Sequence, residues 1–491
     1  MTRAASRHRL YYDLLDAFRQ EGCPICRLGK LTVARYLDIL AYENVNDPGV
    51  REKLRAARGF CNYHAYQFLE EVRDLLAAGI IYRDVVNAVV LALPAGDSPA
   101  LTRQVLSIVR PGPEEPGEDH GLAGLVTPGA PCPACQALDQ GVTDRLHGFL
   151  EHLPEADFRA AYQDSDGLCH PHFLEAVAQV REQPQLELLV RSEDALLARE
   201  AASASGARPG VGRDVAYYGR RSLLKVVISS FGDRGAIARA NRPGRAFGRT
   251  THAGPSPQGE RAQPSADPDI CPACARAQLP TALATETFAQ DLSAGGERGT
   301  ELLDLLCNRH AWQLAQAVPT GGLRPLFAAV AERRRSRLAA LVPPLLAQEN
   351  GHGGLELPGR LPRARRLGME LARQLEPRGT CPLCERQAAI ELGELRRYLA
   401  ESEKPGLGDG AAEEMATLCL PHLSLSCRLR LSSAGRAALV RRQVLGWSAL
   451  IEELKEYIRK QDYRFRDEPR GHEQTSPYRA VAQMAGRKDL R

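Results

Sequence analysis

Residues 23–26 read Cys-Pro-Ile-Cys, and residues 61–64 read Cys-Asn-Tyr-His. Two cysteines separated by two residues form a knuckle that can present both thiolates to one ion. The proline between them fixes φ where the chain turns into a helix. A cysteine and a histidine three apart at a helix start lie on one face of its first turn. There the dipole and the free N–H groups favour thiolate. Together the two stretches supply the three sulfurs and one nitrogen of a closed tetrahedral site.

The same pair of motifs occurs four times: Cys23, Cys26, Cys61 and His64; Cys132, Cys135, Cys169 and His172; Cys271, Cys274, Cys307 and His310; Cys381, Cys384, Cys419 and His422. These sixteen residues use twelve of the thirteen cysteines. The third ligand follows the first at nearly the same interval in every copy, as Cys61 follows Cys23 and Cys419 follows Cys381. The first ligands Cys23, Cys132, Cys271 and Cys381 are evenly spaced except for a longer step from Cys132 to Cys271. A fixed period predicts tandem units, and the longer middle step groups them as two halves. The residues inside each copy are expected to run out and back as an antiparallel helical excursion, closing each Cys-x-x-His on its own knuckle.

Aromatic residues are 5% of the chain, so the cores rest on Leu, Ala and Val, which favour helices. The expected fold is all-α, with four tandem zinc-stapled helical units. Unit one is placed at 1–110, a Pro- and Gly-rich linker at 111–131, and unit two at 132–231. A disordered basic linker at 232–270 separates these from unit three at 271–350. A second linker occupies 351–364, and unit four with its C-terminal tail fills 365–491. Apolar periodicity predicts helices over 8–21, 27–43, 50–58, 61–77, 79–93, 100–110, 185–202, 214–231, 362–375 and 434–460. Ser476 is placed as the cap of a final helix beginning at Pro477.

The formal charge is +4. A Zn²⁺ held by three thiolates and a neutral imidazole adds one negative charge per site, so four sites bring the chain close to neutrality. The basic balance therefore says little about partners. Disulfides are a poor reading of an odd cysteine count at metal-ligand spacing. The N-terminus carries acids within an amphipathic pattern rather than a secretory apolar core, and the apolar stretch 85–93 is short for a bilayer. A cytoplasmic location without membrane contact is expected. No nucleophile elbow, phosphate loop or His-Glu-x-x-His occurs, so no catalytic residue is assigned and a non-enzymatic role is expected. Four Zn²⁺ ions are the expected cofactors, with iron–sulfur clusters as the alternative. A c-type haem is excluded, because no Cys-x-x-Cys is followed by His.

His170 is read as a bystander beside the second site, and Cys427 as a small core residue. The arginine clusters at 333–337, at 360–373 and in the 232–263 segment are read as solvated surface, with phosphate contact as the alternative. The tail cluster of Arg459, Lys460, Asp462, Tyr463, Arg464, Phe465 and Arg466 is expected to pack over another unit through charge pairs, with a ligand pocket as the alternative.

The Cys-Pro-x-Cys knuckles, the Gly59-Phe60-Cys61 stretch leading to His64, and the Arg459-Lys460-Gln461-Asp462-Tyr463-Arg464-Phe465 tail resemble an uncharacterised family of bacterial proteins catalogued as a domain of unknown function. The likeness is weaker at Cys-His-Pro-His (169–172) and Cys-Leu-Pro-His (419–422), which lack the preceding Gly-Phe. The resemblance implies a bacterial source and brings no activity with it. The leading expectation is a scaffold or interaction module with a protein partner. A nucleic-acid-binding protein and an iron–sulfur redox or metal-handling protein are the alternatives.

Overall fold

A computed structural model of the chain describes residues 9–93, 120–205, 227–237, 271–294, 296–317, 320–347, 362–402, 416–465 and 467–488. The helix expected over 100–110 lies outside them, as do most of the helix at 214–231 and of the linkers at 232–270 and 351–364. All regular structure among the described residues is helical, with no strand. The all-α expectation therefore holds.

The helices of the N-terminal half are α1 (Arg9–Phe18), α2 (Pro24–Ile39), α3 (Pro48–Ala56), α4 (Asn62–Gln67), α5 (Leu75–Ala92), α6 (His120–Val126), α7 (Pro133–His152), α8 (Ala156–Gln163), α9 (His170–Val177) and α10 (Gln183–Ser205). Those of the C-terminal half are α11 (Pro272–Ala294), α12 (Gly296–Asp304), α13 (Asn308–Ala317), α14 (Thr320–Ala347), α15 (Arg363–Leu375), α16 (Pro382–Ser402), α17 (Leu420–Ser426), α18 (Ser433–Arg459) and α19 (Ser476–Ala485).

Three local expectations change. The single helix over 61–77 is two, because Arg73 takes a left-handed conformation and Asp74 caps α5 by accepting the Ala77 N–H. Residues 120–126, expected as linker, form α6. Ser476 is the first residue of α19 rather than its cap, and Thr475 precedes it without a side-chain cap bond.

The chain divides into two compact units, each built from three segments. One comprises 1–33, 137–242 and 283–385; the other comprises 34–136, 243–282 and 386–491. Each compact unit draws on all four of the expected tandem units. Four of the five boundaries fall inside α2, α7, α11 and α16, the helices that begin at the knuckles.

In the first unit, Phe18, Phe149, Phe158 and Tyr162 form an aromatic cluster with centroids 4.9–6.3 Å apart. Long helices α10 and α14 pack against each other. Between them lies a buried polar group. Arg334 donates to Asp304 at 2.7 Å and to the Ser230 carbonyl at 2.8 Å. His170 and Glu193 meet at 3.2 Å, both buried. Burial, then Arg334 and Arg337, push the His170 imidazole well down. Burial, then Glu200, push the Glu193 carboxyl well up, which favours a neutral hydrogen bond over an ion pair.

Burial also pushes the neighbouring Glu200 carboxyl up to about 7. Its folded value lies above its unfolded one, so the protonated carboxyl is native-favouring. That contribution is whole below the unfolded value of 4.5 and is lost as pH rises through about 7. Glu200→Gln is therefore expected to stabilise the protein at pH 8. Its advantage over wild type should grow by about 1 kcal/mol between pH 6 and pH 8. Paired denaturation curves at the two pH values check this, and a constant difference would exclude it.

In the second unit, α5 packs against α18, α19 and α3. Gly79 lets α5 approach α18, since a Cβ there would lie 3.2 Å from Tyr457. By length and composition α5 could cross a membrane, because it starts at Leu75 and outruns the apolar stretch 85–93. Its Ile81, Tyr82, Val85, Val86 and Val89 are all buried in this unit, as in the core helix of a globular body. The charges of the tail cluster pair locally, with residues of α18 and of the tail itself, rather than over another expected unit. Arg459 bonds Glu456 and Glu468 and covers the Phe465 ring, and Lys460 bonds Glu473 at 3.0 Å.

Candidate metal centres

The sixteen ligand residues form four groups, and none has the expected membership. Cys23 and Cys26 join Cys169 and His172, while Cys61 and His64 join Cys132 and Cys135. Cys271 and Cys274 join Cys419 and His422, while Cys307 and His310 join Cys381 and Cys384. Each Cys-x-x-His thus leaves its own knuckle and closes on the knuckle of the neighbouring repeat in the same half. The reason is the direction of α2, α7, α11 and α16. Each knuckle helix carries the chain out of the compact unit holding its knuckle, so the Cys-x-x-His that follows lies in the other unit.

The local geometry is the same in all four. Each knuckle lies at the start of a helix, and its first cysteine carbonyl accepts the N–H four residues on, as in Arg27 to Cys23 and Gln136 to Cys132. In each Cys-x-x-His the cysteine precedes α4, α9, α13 or α17 and the histidine lies in the first turn. Within each group the ligand atoms lie within 4.8 Å of one another. Sulfurs approach at 3.6 Å (Cys26 and Cys169), 3.7 Å (Cys61 and Cys135), 3.7 Å (Cys274 and Cys419) and 3.8 Å (Cys307 and Cys384). Each histidine turns Nδ1 to the sulfurs, at 3.1–3.5 Å in the group of His172 and 3.2–3.3 Å in that of His310.

The thiols in each group titrate against one another. Burial raises Cys23, but its contacts with Cys169, Cys26 and His172 outweigh this and hold it well below the ordinary thiol value. Cys132, Cys271 and Cys307 are lowered in the same way. Their partners Cys26, Cys169, Cys61, Cys135, Cys274, Cys419, Cys381 and Cys384 are all pushed up. All three thiols of a group can ionise together only around a cation.

The groups fall into two kinds. All four ligands are buried in the groups of His172 and His422, whereas those of His64 and His310 each have two half-buried cysteines. Each compact unit holds one group of each kind. The outer nitrogen of His422 lies 3.8 Å from a Glu391 carboxylate oxygen, and Gln387 donates to the other oxygen at 3.0 Å. At 3.8 Å the carboxylate is too far to hydrogen-bond the ring, so Glu391 sets negative charge beside His422 without fixing its orientation.

His170 lies outside the four groups, and Cys427 is buried with its thiol on the Leu423 carbonyl at 3.4 Å. The 333–337 arginines all have partners within the chain: Arg333 to Glu301, Arg334 to Asp304, Arg335 to Asp194, and Arg337 to the Gln374 carbonyl. Arg334 is buried, against the expectation of a solvated surface, while the Arg333 and Arg335 pairs are partly exposed.

Residues 10–190 match the model of a family of unknown function, DUF6062. The resemblance to an uncharacterised family is thus supported over the stretch that holds the first two complete ligand groups. A curated protein of Caldicellulosiruptor sp. (strain Rt8B.4), described as an uncharacterized 23.9 kDa protein in the xynA 3'region, is 33% identical over 75 residues. That match covers 15% of this chain and 36% of the relative, so the chain spans about a third of the relative it matches. No solved structure matches. At 23.9 kDa against 53.7 kDa, the relative is close in size to one half of this chain.

Proposed function

We propose that this chain is a cytoplasmic zinc-binding scaffold or interaction protein whose four Cys₃His groups are structural Zn²⁺ sites. The observation that carries this reading is the sulfur spacing. A tetrahedron with Zn–S bonds of about 2.3 Å has an S···S edge of about 3.8 Å. The S···S contacts that close the four groups are 3.6–3.8 Å. One ion fits such a cage, whereas a multi-iron cluster needs its cysteines farther apart.

Three thiolates and an imidazole fill all four positions, leaving no open place for substrate or water. The ions would therefore hold segments together rather than perform chemistry. Reduced thiols at this density suit a reducing compartment. A protein partner rather than nucleic acid is the reading we carry forward, supported by the burial of Arg334 and by acceptors within the chain for Arg333, Arg335 and Arg337. Native mass spectrometry of the full chain purified from its host should show four zinc ions. Fewer than three, even after zinc addition, or a brown preparation containing sulfide, would refute the reading.

A further inference from the structure

We propose that Asn62 and Asn308 couple the metal sites in pairs that join the two halves of the chain. Metal retention at Cys23, Cys26, Cys169 and His172 then depends on the group of Cys307. Retention at Cys271, Cys274, Cys419 and His422 depends on the group of Cys61. The inference rests on the reading above that the groups hold metal.

Asn308 follows the ligand Cys307 directly. Its side-chain amide donates to three successive carbonyls, Phe231 at 2.8 Å, Gly232 at 3.0 Å and Asp233 at 3.0 Å. Its Oδ1 accepts the Gly235 N–H at 3.3 Å. One turn on, Trp312 Nε1 donates to the same Gly232 carbonyl at 3.0 Å. The gripped turn rests on the other metal group of this compact unit, for the Asp233 N–H points at Cys26 Sγ at 3.3 Å. Gly232 has φ +82, and a Cβ there would sit 3.5 Å from Cys26 Sγ and 2.7 Å from Ile237. Lys30 pins the turn from outside through Asp233 at 3.0 Å.

The second compact unit repeats the asparagine grip, without the N–H contact to sulfur, in unrelated sequence. Asn62 follows Cys61 and donates to the carbonyls of Ala485 at 3.0 Å, Gly486 at 3.3 Å and Arg487 at 2.8 Å. Tyr66, at the position of Trp312, donates its hydroxyl to the Gly486 carbonyl at 3.0 Å. Gly486 has φ +79, and its hypothetical Cβ would lie 3.8 Å from Cys419 Sγ. The other two Cys-x-x-His copies carry His170 and Leu420 at this position, and neither has an amide to offer.

At Cys26 the Asp233 N–H stabilises thiolate charge. In both units the turn lies against the buried site, so holding the turn in place protects that site. The turn keeps its place because the asparagine holds three of its carbonyls. The asparagine is presented by a helix start whose preceding cysteine is a ligand of the second site. An ion at either site thus orders the contact that the other uses, and the coupling is reciprocal.

The test uses the full-length, zinc-loaded protein in excess EDTA, with N-ethylmaleimide labelling of each cysteine followed by mass spectrometry. Asn308→Ala should speed labelling of Cys23, Cys26 and Cys169 about tenfold. Labelling of Cys271, Cys274 and Cys419 should keep its wild-type rate. Asn62→Ala should do the converse. Trp312→Phe, which removes one donor and keeps the ring's bulk, should accelerate the same three cysteines as Asn308→Ala by about threefold, and it decides the matter if Asn308→Ala does not fold. Acceleration confined to Cys307, Cys381 and Cys384, or equal acceleration at every ligand cysteine, would overturn the coupling. A zinc count below four in the untreated protein would instead strike at the metal reading itself.

Discussion

Replacing Cys169 by serine is expected to release Cys23 and Cys26, far away in the sequence, and to leave Cys132 and Cys135 protected. If each Cys-x-x-His served its own knuckle, the result would be the reverse, with Cys132 and Cys135 exposed. The prediction follows from the grouping of Cys23, Cys26, Cys169 and His172, in which Cys169 Sγ lies 3.6 Å from Cys26 Sγ and 3.1 Å from His172 Nδ1. Native mass spectrometry should count three ions instead of four, and alkylation mapping should name the freed thiols. A structural zinc site contributes on the order of 10 kcal/mol to folding, and loss of one of its four donors forfeits a large part of that. The thermal midpoint should therefore fall steeply. Protection of Cys23 and Cys26 in the variant would refute the crossed grouping.

The chemistry of these sites was legible in the sequence and their membership was not. Donor type, helix-start placement and repeat length can all be read from the order of residues along the chain. Which knuckle a Cys-x-x-His closes on depends on where a long helix carries the chain, and Cys-x-x-His spacing fits its own knuckle and its neighbour's equally well. One signal was present. Asn62 and Asn308 follow the cysteine in the copies that close on a later knuckle, whereas Pro171 and Pro421 mark those that close on an earlier one. The family match points the same way, because its span of residues 10–190 takes in two whole crossed groups and ends before the second half.

The remaining differences have separate causes. Arg73 gave no warning of a left-handed turn, since long side chains seldom adopt one. Asp74 was the available sign, as a capping residue just before the apolar run of α5. The residues at 232–237 read as linker because they hold two glycines and few aliphatics. They are ordered here by partners distant in sequence, Asn308 and Cys26, which no periodicity could reveal.

Arg334→Ala is expected to cost about 3–5 kcal/mol, the loss typical of breaking a buried ion pair from one side. Arg334 and Asp304 are 3% and 7% exposed, and the guanidinium also holds the Ser230 carbonyl and covers the Phe231 ring at 5.2 Å. Removing it leaves the buried Asp304 carboxylate with only the longer Arg337 contact at 3.9 Å and frees the carbonyl just before the turn that Asn308 grips. Arg334→Met with Asp304→Leu removes both charges and keeps most of the volume, so it should recover the greater part of the loss. Urea denaturation of the three proteins, loaded with metal and matched in ionic strength, separates the two effects. If the single and double variants lose the same stability, the cost lies in the packing of Arg334 over Phe231 rather than in the stranded charge. If the double variant recovers stability while its Cys26 becomes easier to alkylate, Arg334 acts on the turn as well as on the pair, and the helix α14 arginine belongs to the support of the first metal group.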